Sequence, residues 1–340
     1  MRKILITLLL TLGLVFVVTG CGGTSSDSNA KDNSKQNQDQ EVLSLSIPEP
    51  EGAKFDVTAE AFKEKLEELT DGQMTVKIHY NNELGGEREV FEMMGLGSVD
   101  MAVQSAGPMG NWVKKFDLFD LPYLFDDRDH VYAVLDGEIG KELNKEFEDE
   151  ANVKIIGWVE NGFVTTTSNA PIESADDVKD MKIRVQENEL QIDSWNAFGA
   201  DATPMAWDEV FTGLQQGVID GHSNSLATIE TSKIYEVQDY VAFLEDRFAP
   251  GPIAISKQKF DSLTKEQQEA VEKAGEYAEP IGREANQEKI EKARDFLEDE
   301  GIEFTEPDQD SFKELTDSVY EKWTPEIGED LIEEIEKLDY

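Results

Sequence analysis

The sequence predicts an α/β protein built from two related lobes, on two observations. From Glu41 onward, short segments that alternate apolar and polar residues are followed by stretches with apolar residues at helical spacing, and this order recurs along the chain. In addition, "EVFEMMGLGSVD" (89–100) returns as "EVFTGLQQGVID" (209–220), with Glu-Val-Phe, a glycine eight residues after the glutamate and a Val/Ile-Asp pair all matched at a constant offset of 120. At 340 residues the chain is long enough for two domains with substantial cores.

The first forty residues stand apart from that pattern. Arg2 and Lys3 precede an apolar run from Ile4 to Val18 and then small residues, a layout that reads as an export signal over 1–20. Val18-Thr19-Gly20-Cys21 resembles a bacterial lipobox, so Cys21 is expected to be lipidated and to become the new N-terminus. It is the one cysteine of the chain, which excludes an internal disulfide and, once acylated, a catalytic thiol. From 21 to 40 small, polar and charged residues dominate, as in a flexible linker. Loss of residues 1–20 leaves 29 basic against 73 acidic residues, a net charge of −44. Such a surface repels nucleic acid and anionic headgroups.

In the folded part, "EVLSLSI" alternates as a strand, and Phe62, Leu66 and Leu69 recur as a helix stripe. Asp71-Gly72 then makes a turn and "MTVKIHY" a second strand. In each copy of the repeat Val, Phe and Met94 or Leu214 share a helix face, and Gly97 or Gly217 suits a C-cap before a strand. Strands joined through helices favour a largely parallel sheet, with ligands beyond the strands' C-terminal ends. "MKIRVQ" (181–186) reads as a strand with Lys182, Arg184 and Gln186 on a wet face, where Arg184 is by itself an ordinary solvated charge. Beyond Pro250, "GPIAIS" is strand-like, and Thr264 with Gln267 has capping-box spacing ahead of a long helical stretch interrupted at Pro280, where a kink is expected. Phe312, Leu315, Val319, Tyr320 and Trp323 mark packing helices at the end.

Taken in order, "LGGEREVFEMMGLGSVDMA", "FDLFDLPYLF", "KIRV", "TPMAWDEVFTGLQQGVIDG" and "YEVQ" resemble the substrate-binding proteins of TRAP transporters, the tripartite ATP-independent importers of organic acids. The resemblance runs from about Ser44 to the C-terminus. It implies a two-lobed periplasmic-binding-protein-like fold with a cleft between the lobes and a long connecting helix. The lobes are expected at 41–161 with 250–287, and at 162–249 with 288–340 and the C-terminal helices. It also implies capture of a small organic acid and delivery to a small and a large permease subunit; no cofactor, no metal-ligating residues and no catalysis are expected, and a cation bridging ligand and protein is left open. A monomer tethered through Cys21 is expected.

The resemblance makes Arg184 the residue that grips the ligand carboxylate, and its planar fork suits that task through two parallel hydrogen bonds. It implies Asn224 as a second-lobe hydrogen-bonding residue and Trp207 as an aromatic cleft wall; read alone, they are a turn residue and a core residue. Val164 stands where many members have another arginine, which speaks against a ligand needing a two-arginine clamp, sialic acid included. Ser223 stands where a glutamate is common. Arg247 lies near a polar cleft position, although a salt bridge with Glu245 or Asp246 explains it equally well. From the repeat itself, subtracting 120 from Asn224 gives Gln104, so the two carboxamides are expected to face each other across the cleft; the alternative is that Gln104 caps a surface turn.

Two other function classes remain open to the sequence. A sensor lobe docking on a signalling receptor would bind the same acids. An extracytoplasmic hydrolase is disfavoured by the three dispersed histidines, His79, His130 and His222, and the missing Gly-x-Ser-x-Gly elbow.

Overall fold

The computed structural model describes residues 40–340. The export signal, Cys21 and the linker up to residue 39 lie outside the described residues. Two mixed sheets form the framework. The first takes β1 (Glu41–Ser46), β2 (Met74–His79), β3 (Met101–Val103), β4 (Val153–Phe163) and β10 (Phe248–Ser256) in the order β2-β1-β3-β10-β4. The second takes β5 (Thr165–Ser168), β6 (Lys182–Val185), β7 (Asp201–Pro204), β8 (Gly221–Asn224), β9 (Tyr240–Ala242) and β11 (Glu303–Thr305) in the order β11-β9-β5-β8-β6-β7. Alternation sets which residues point inward. Leu43 and Leu45 of β1 are fully buried, against the stripe of Phe62 and Leu66 on α1 (Lys54–Leu69).

The sheets are less parallel than the sequence suggests. β1 runs parallel to β2 and β3, and β6 parallel to β7 and β8, but β10 is antiparallel to β3 and β4, and β5 to β8 and β9. The antiparallel members are the strands that cross between lobes. β4 leads through Val164 alone into β5, and β9 leads into β10 through residues 243–247. A strand that enters a sheet from the neighbouring lobe is free of the helical crossover that makes strands parallel. The two crossings hydrogen-bond to each other, Val164 N donating to Arg247 O (3.2 Å) and Glu245 N to Val164 O (3.2 Å). Both side chains are thereby fixed at the boundary.

The repeat is carried into structure. α2 (Glu87–Gly95) and α6 (Trp207–Gln215) are both nine residues long and offset by 120, and Gly97 (φ +73°) and Gly217 (φ +67°) end them in left-handed conformations that favour glycine. Around the first sheet also pack α3 (Arg128–Asp136) and α4 (Glu138–Ala151). The second lobe adds α5 (Glu189–Ala197) and α7 (Leu226–Thr231).

α8 (Lys257–Ser262) leads into α9 (Lys265–Asp299), a single helix of 35 residues that continues through Pro280. The expected interruption is absent because burial on both sides of the proline, at Ala274 and Ala278 before it and Gly282 and Asn286 after it, holds the helical path despite one missing N–H. Ala270 and Ala274 sit in the first lobe's core, Ala293 and Leu297 in the second's. α9 is thus a third connection.

The range 288–340, grouped by sequence with the second lobe, divides. Phe312 of α10 (Gln309–Lys313) packs with Trp195 and Phe198 of the second lobe. Val319, Trp323 and Ile327 of α11 (Asp317–Ile327) and Ile332 and Ile335 of α12 (Glu329–Glu336) pack in the first lobe's core, and Leu315, between α10 and α11, is 38% exposed. Helical spacing reveals an apolar face but not the partner that covers it.

Where α9 meets β4, a Cβ on Gly275 would lie 2.5 Å from the Ile156 carbonyl oxygen. Gly275→Ala is expected to destabilise the protein by about 1–3 kcal/mol despite alanine's better helix propensity, because the obstacle is backbone. Urea unfolding monitored by circular dichroism measures it.

Candidate functional site

The face of β6 that reads as wet in sequence is turned into the space between the lobes. Ile183 and Val185 enter the second lobe's core, while Arg184 and Gln186, only 4% and 8% exposed, line an interlobe cavity of about 400 Å³. Arg184 Nε donates to Met205 O (2.9 Å), which orients the guanidinium, and its Cζ lies 5.7 Å from the centre of the Trp207 ring. Among the described residues neither terminal nitrogen has a hydrogen-bond partner, and the residue lines the cavity. Burial and the nearby Arg247 lower its pKa to about 10, against the pull of Glu87, so it remains a cation at neutral pH.

Trp207 and Glu87 hold equivalent places, each the first residue of its helix and each lining the cavity. A Cβ on Gly86 would sit 3.7 Å from the Ala206 Cβ, so the two helix starts meet across the mouth. Glu87 accepts from Ser105 N (3.1 Å) and Gln186 Nε2 (3.0 Å). Burial pushes its pKa up, and Arg184 pulls it back.

Val164 and Arg247, the paired crossing residues, both line the cavity. Val164 supplies an apolar wall. Arg247 does not pair with Glu245 or Asp246 but lies 3.3 Å from Asp120 Oδ1, because α5 and the segment 114–120 close over it. Asp120 also accepts from Gln191 Nε2 (2.8 Å) and Asn188 Nδ2 (3.1 Å), and burial raises its pKa to about 6. Arg247 Nε remains buried without a partner.

Asn224 ends β8 with its side chain at the cavity, where its Oδ1 accepts from Asn161 Nδ2 (2.6 Å) and Ser225 N (2.9 Å) and leaves its amide hydrogens uncommitted. Gln104 is placed differently from the expectation. It is 1% exposed, donates to Glu87 O (2.8 Å) and is not part of the lining; its neighbour Ser105 is. The chain leaves β3 at Val103 and turns, so Gln104 ties down the first turn of α2 instead of facing Asn224.

Residues 48–326 match the model of bacterial extracellular solute-binding protein, family 7 (DctP). The chain belongs to this family. A solute-binding protein from Verminephrobacter eiseniae is 36% identical over 232 residues, 68% of this chain and 69% of the relative. A TRAP periplasmic solute-binding protein from Polaromonas sp. JS666, solved bound to D-erythronate, superposes with a TM-score of 0.86 at 29% identity, covering 88% of this chain and 100% of that one. Another from Roseobacter denitrificans, with bound L-galactonate, superposes with a TM-score of 0.82 at 33% identity, covering 87% and 98%. The two-lobed α/β architecture is therefore that of a TRAP-type solute-binding protein.

Sequence reasoning missed several residues of this cavity. Glu87 was within reach, since subtracting 120 from Trp207 gives it, and Gln186 shares the face of Arg184. Glu49, Lys54, Asn161 and Thr228 carried no pattern. Lys54 bonds Glu49 and, across the lobes, Thr228 Oγ1 (2.6 Å). Burial lowers the Lys54 pKa, and Glu49 opposes that shift.

Behind Trp207, 5.8 Å between ring centres, His222 is fully buried with Nδ1 on Thr167 Oγ1 (2.7 Å) and Nε2 unpartnered. Burial, with Arg184 adding, lowers its pKa to about 3. The unfolded chain protonates this histidine near 6.5, so between those values the unfolded state binds more protons and stability falls with falling pH. Relative to His222→Gln, the wild-type urea midpoint is expected to drop between about pH 7 and about pH 4.5. Asp117 and Asp120 titrate in both proteins and cancel from that difference.

Proposed function

We propose that the protein captures a small organic acid by its carboxylate at Arg184 and delivers it to the small and large subunits of a TRAP-type permease. The observation that carries this reading is the buried guanidinium with both terminal nitrogens uncommitted and facing a cavity. A buried charge without a counterion is unfavourable, and a carboxylate meets the fork with two charge-assisted hydrogen bonds. The bound D-erythronate and L-galactonate of the two solved relatives are carboxylates, which supports the same use of this cleft. Trp207 walls the guanidinium, Asn224 donates from the second lobe, and Val164 and Arg247 bound the far side at the crossing strands.

The reading extends to an exported, monomeric protein held at the membrane by a lipid on Cys21, with no chemical step on the ligand. Cys21→Ser is expected to move the protein from the membrane fraction to the soluble fraction and to abolish incorporation of labelled palmitate. Recovery of bound acid unchanged after prolonged incubation tests the absence of catalysis.

Truncation of one partner of a buried charged pair costs roughly 2–5 kcal/mol, or about 30-fold to several thousand-fold in affinity. Arg184→Ala is expected to lose binding on that scale in calorimetry with its circular dichroism spectrum unchanged. Wild-type affinity in this variant overturns the reading.

A further inference from the structure

Eleven of the sixteen residues around the cavity are polar or charged, which points to a ligand that is polar beyond its carboxylate. Typical small-molecule sites are mainly apolar with a few polar groups. Here the polar groups also have a definite sign. Glu49 is 2% exposed; its Oε1 accepts from Lys54 and from Thr228 Oγ1 (2.9 Å), and its Oε2 is buried at the cavity without a partner. Glu87, half-buried at the start of α2, receives one hydrogen bond on each oxygen, and each oxygen has a second lone-pair site available.

The cations are already assigned. Lys54 is paired with Glu49 and Arg247 with Asp120, which leaves one Arg247 donor, Nε, open, so the lining charges without a salt bridge inside the cavity are Arg184 and Glu87. Once Arg184 holds the ligand carboxylate, the remainder of the ligand meets acceptors with negative charge. A hydroxyl donates to such an acceptor in a charge-assisted bond. A second carboxylate is repelled in a medium of low dielectric, and Val164 offers it no donor. An alkyl chain offers no donor to the Glu87 lone pairs and leaves Glu49 Oε2 unpaired, which is costly for a buried acceptor.

We propose that Glu49 and Glu87 are specificity-determining residues that select a monocarboxylic acid carrying hydroxyl groups along its chain, accept hydrogen bonds from those hydroxyls and reject dicarboxylic acids. This rests on the reading that Arg184 binds a carboxylate. The same two acceptors suit an ammonium group, so an amino acid is the chemical alternative that a test must include.

The experiment is calorimetry on the purified protein with matched pairs of four, five and six carbons: threonate and tartrate, arabinonate and arabinarate, gluconate and glucarate. Hexanoate and 6-aminohexanoate complete the panel. The tightest ligand is expected to be a hydroxylated monocarboxylate, with its dicarboxylate partner and hexanoate each about 100-fold weaker or worse. Glu87→Gln keeps the shape, removes the charge and is expected to weaken the monocarboxylate by about tenfold while narrowing its lead over the dicarboxylate. Glu49→Gln is expected to do the same; if it fails to fold because Lys54 loses its partner, Glu87→Gln still decides. A dicarboxylate, hexanoate or 6-aminohexanoate as the tightest ligand overturns the proposal, as does an unchanged preference in Glu87→Gln. If such a ligand also depends on Arg184, the carboxylate-binding reading stands while this one falls. Absence of binding by every hydroxylated monocarboxylate in the panel overturns it as well.

Discussion

A guanidinium taken out of water without a counterion is the constraint around which the cleft is arranged. Arg184 sits on an interior strand of the second sheet, next to its edge, is 4% exposed, and among the described residues has a single side-chain hydrogen bond, to Met205 O. Desolvating a cation is expensive unless an anion meets it, and the nearby Glu87 offsets only part of that cost because it attracts the guanidinium without a direct hydrogen bond or salt bridge to it. On the reading proposed above, contact with an anionic ligand relieves the remaining imbalance.

For that contact to be specific, the surrounding groups must be held still, and buried networks from both lobes do this. Glu160 on β4 accepts from Arg128 Nε (2.9 Å), Tyr132 Oη (2.7 Å) and Asn286 Nδ2 (3.0 Å), which ties the first crossing strand to α3 and α9. Asn188 and Gln191 anchor Asp120, which in turn positions Arg247 on the second crossing. Such networks stiffen the groups they join, although Asn286 Oδ1 and Arg247 Nε are left without partners among the described residues. The contacts across the outer mouth are of another sort. Asn82 to Asp208 (3.4 Å) and Arg88 to Glu187 (3.5 Å) are exposed and long, worth at most about 1 kcal/mol each. The lobes are thus joined strongly at the crossings and weakly at the rim, and a ligand that touches both sides of the cleft supplies the differential energy for closure.

The acidic surface and the cationic centre of the cleft act over different ranges. A chain with 73 acidic and 31 basic residues repels organic anions at a distance, but salt at physiological strength screens exposed charges beyond about 8 Å. Inside the cavity the buried charge of Arg184 is screened much less. Capture therefore depends on local geometry at the site, with little help from long-range steering.

Much of this was legible in the sequence because periodicity is a local property. Alternation in "MKIRVQ" put Arg184 and Gln186 on one face, and the offset of 120 marked α2 and α6 as equivalents with equivalent glycine ends. The same arithmetic failed at Gln104, where the chain turns after β3 and Ser105 takes the cavity position. What each face meets is decided only when distant segments pack. Tertiary structure turned a polar strand face inward, gave Arg247 the partner Asp120 rather than its sequence neighbours, and sent α11 and α12 back to the first lobe. It also joined Glu49, Lys54 and Thr228 across 179 residues of chain. Local pattern determines which side chains point together; long-range packing determines whether they point at water, at core or at a ligand, because burial and charge pairing are properties of the assembled surfaces.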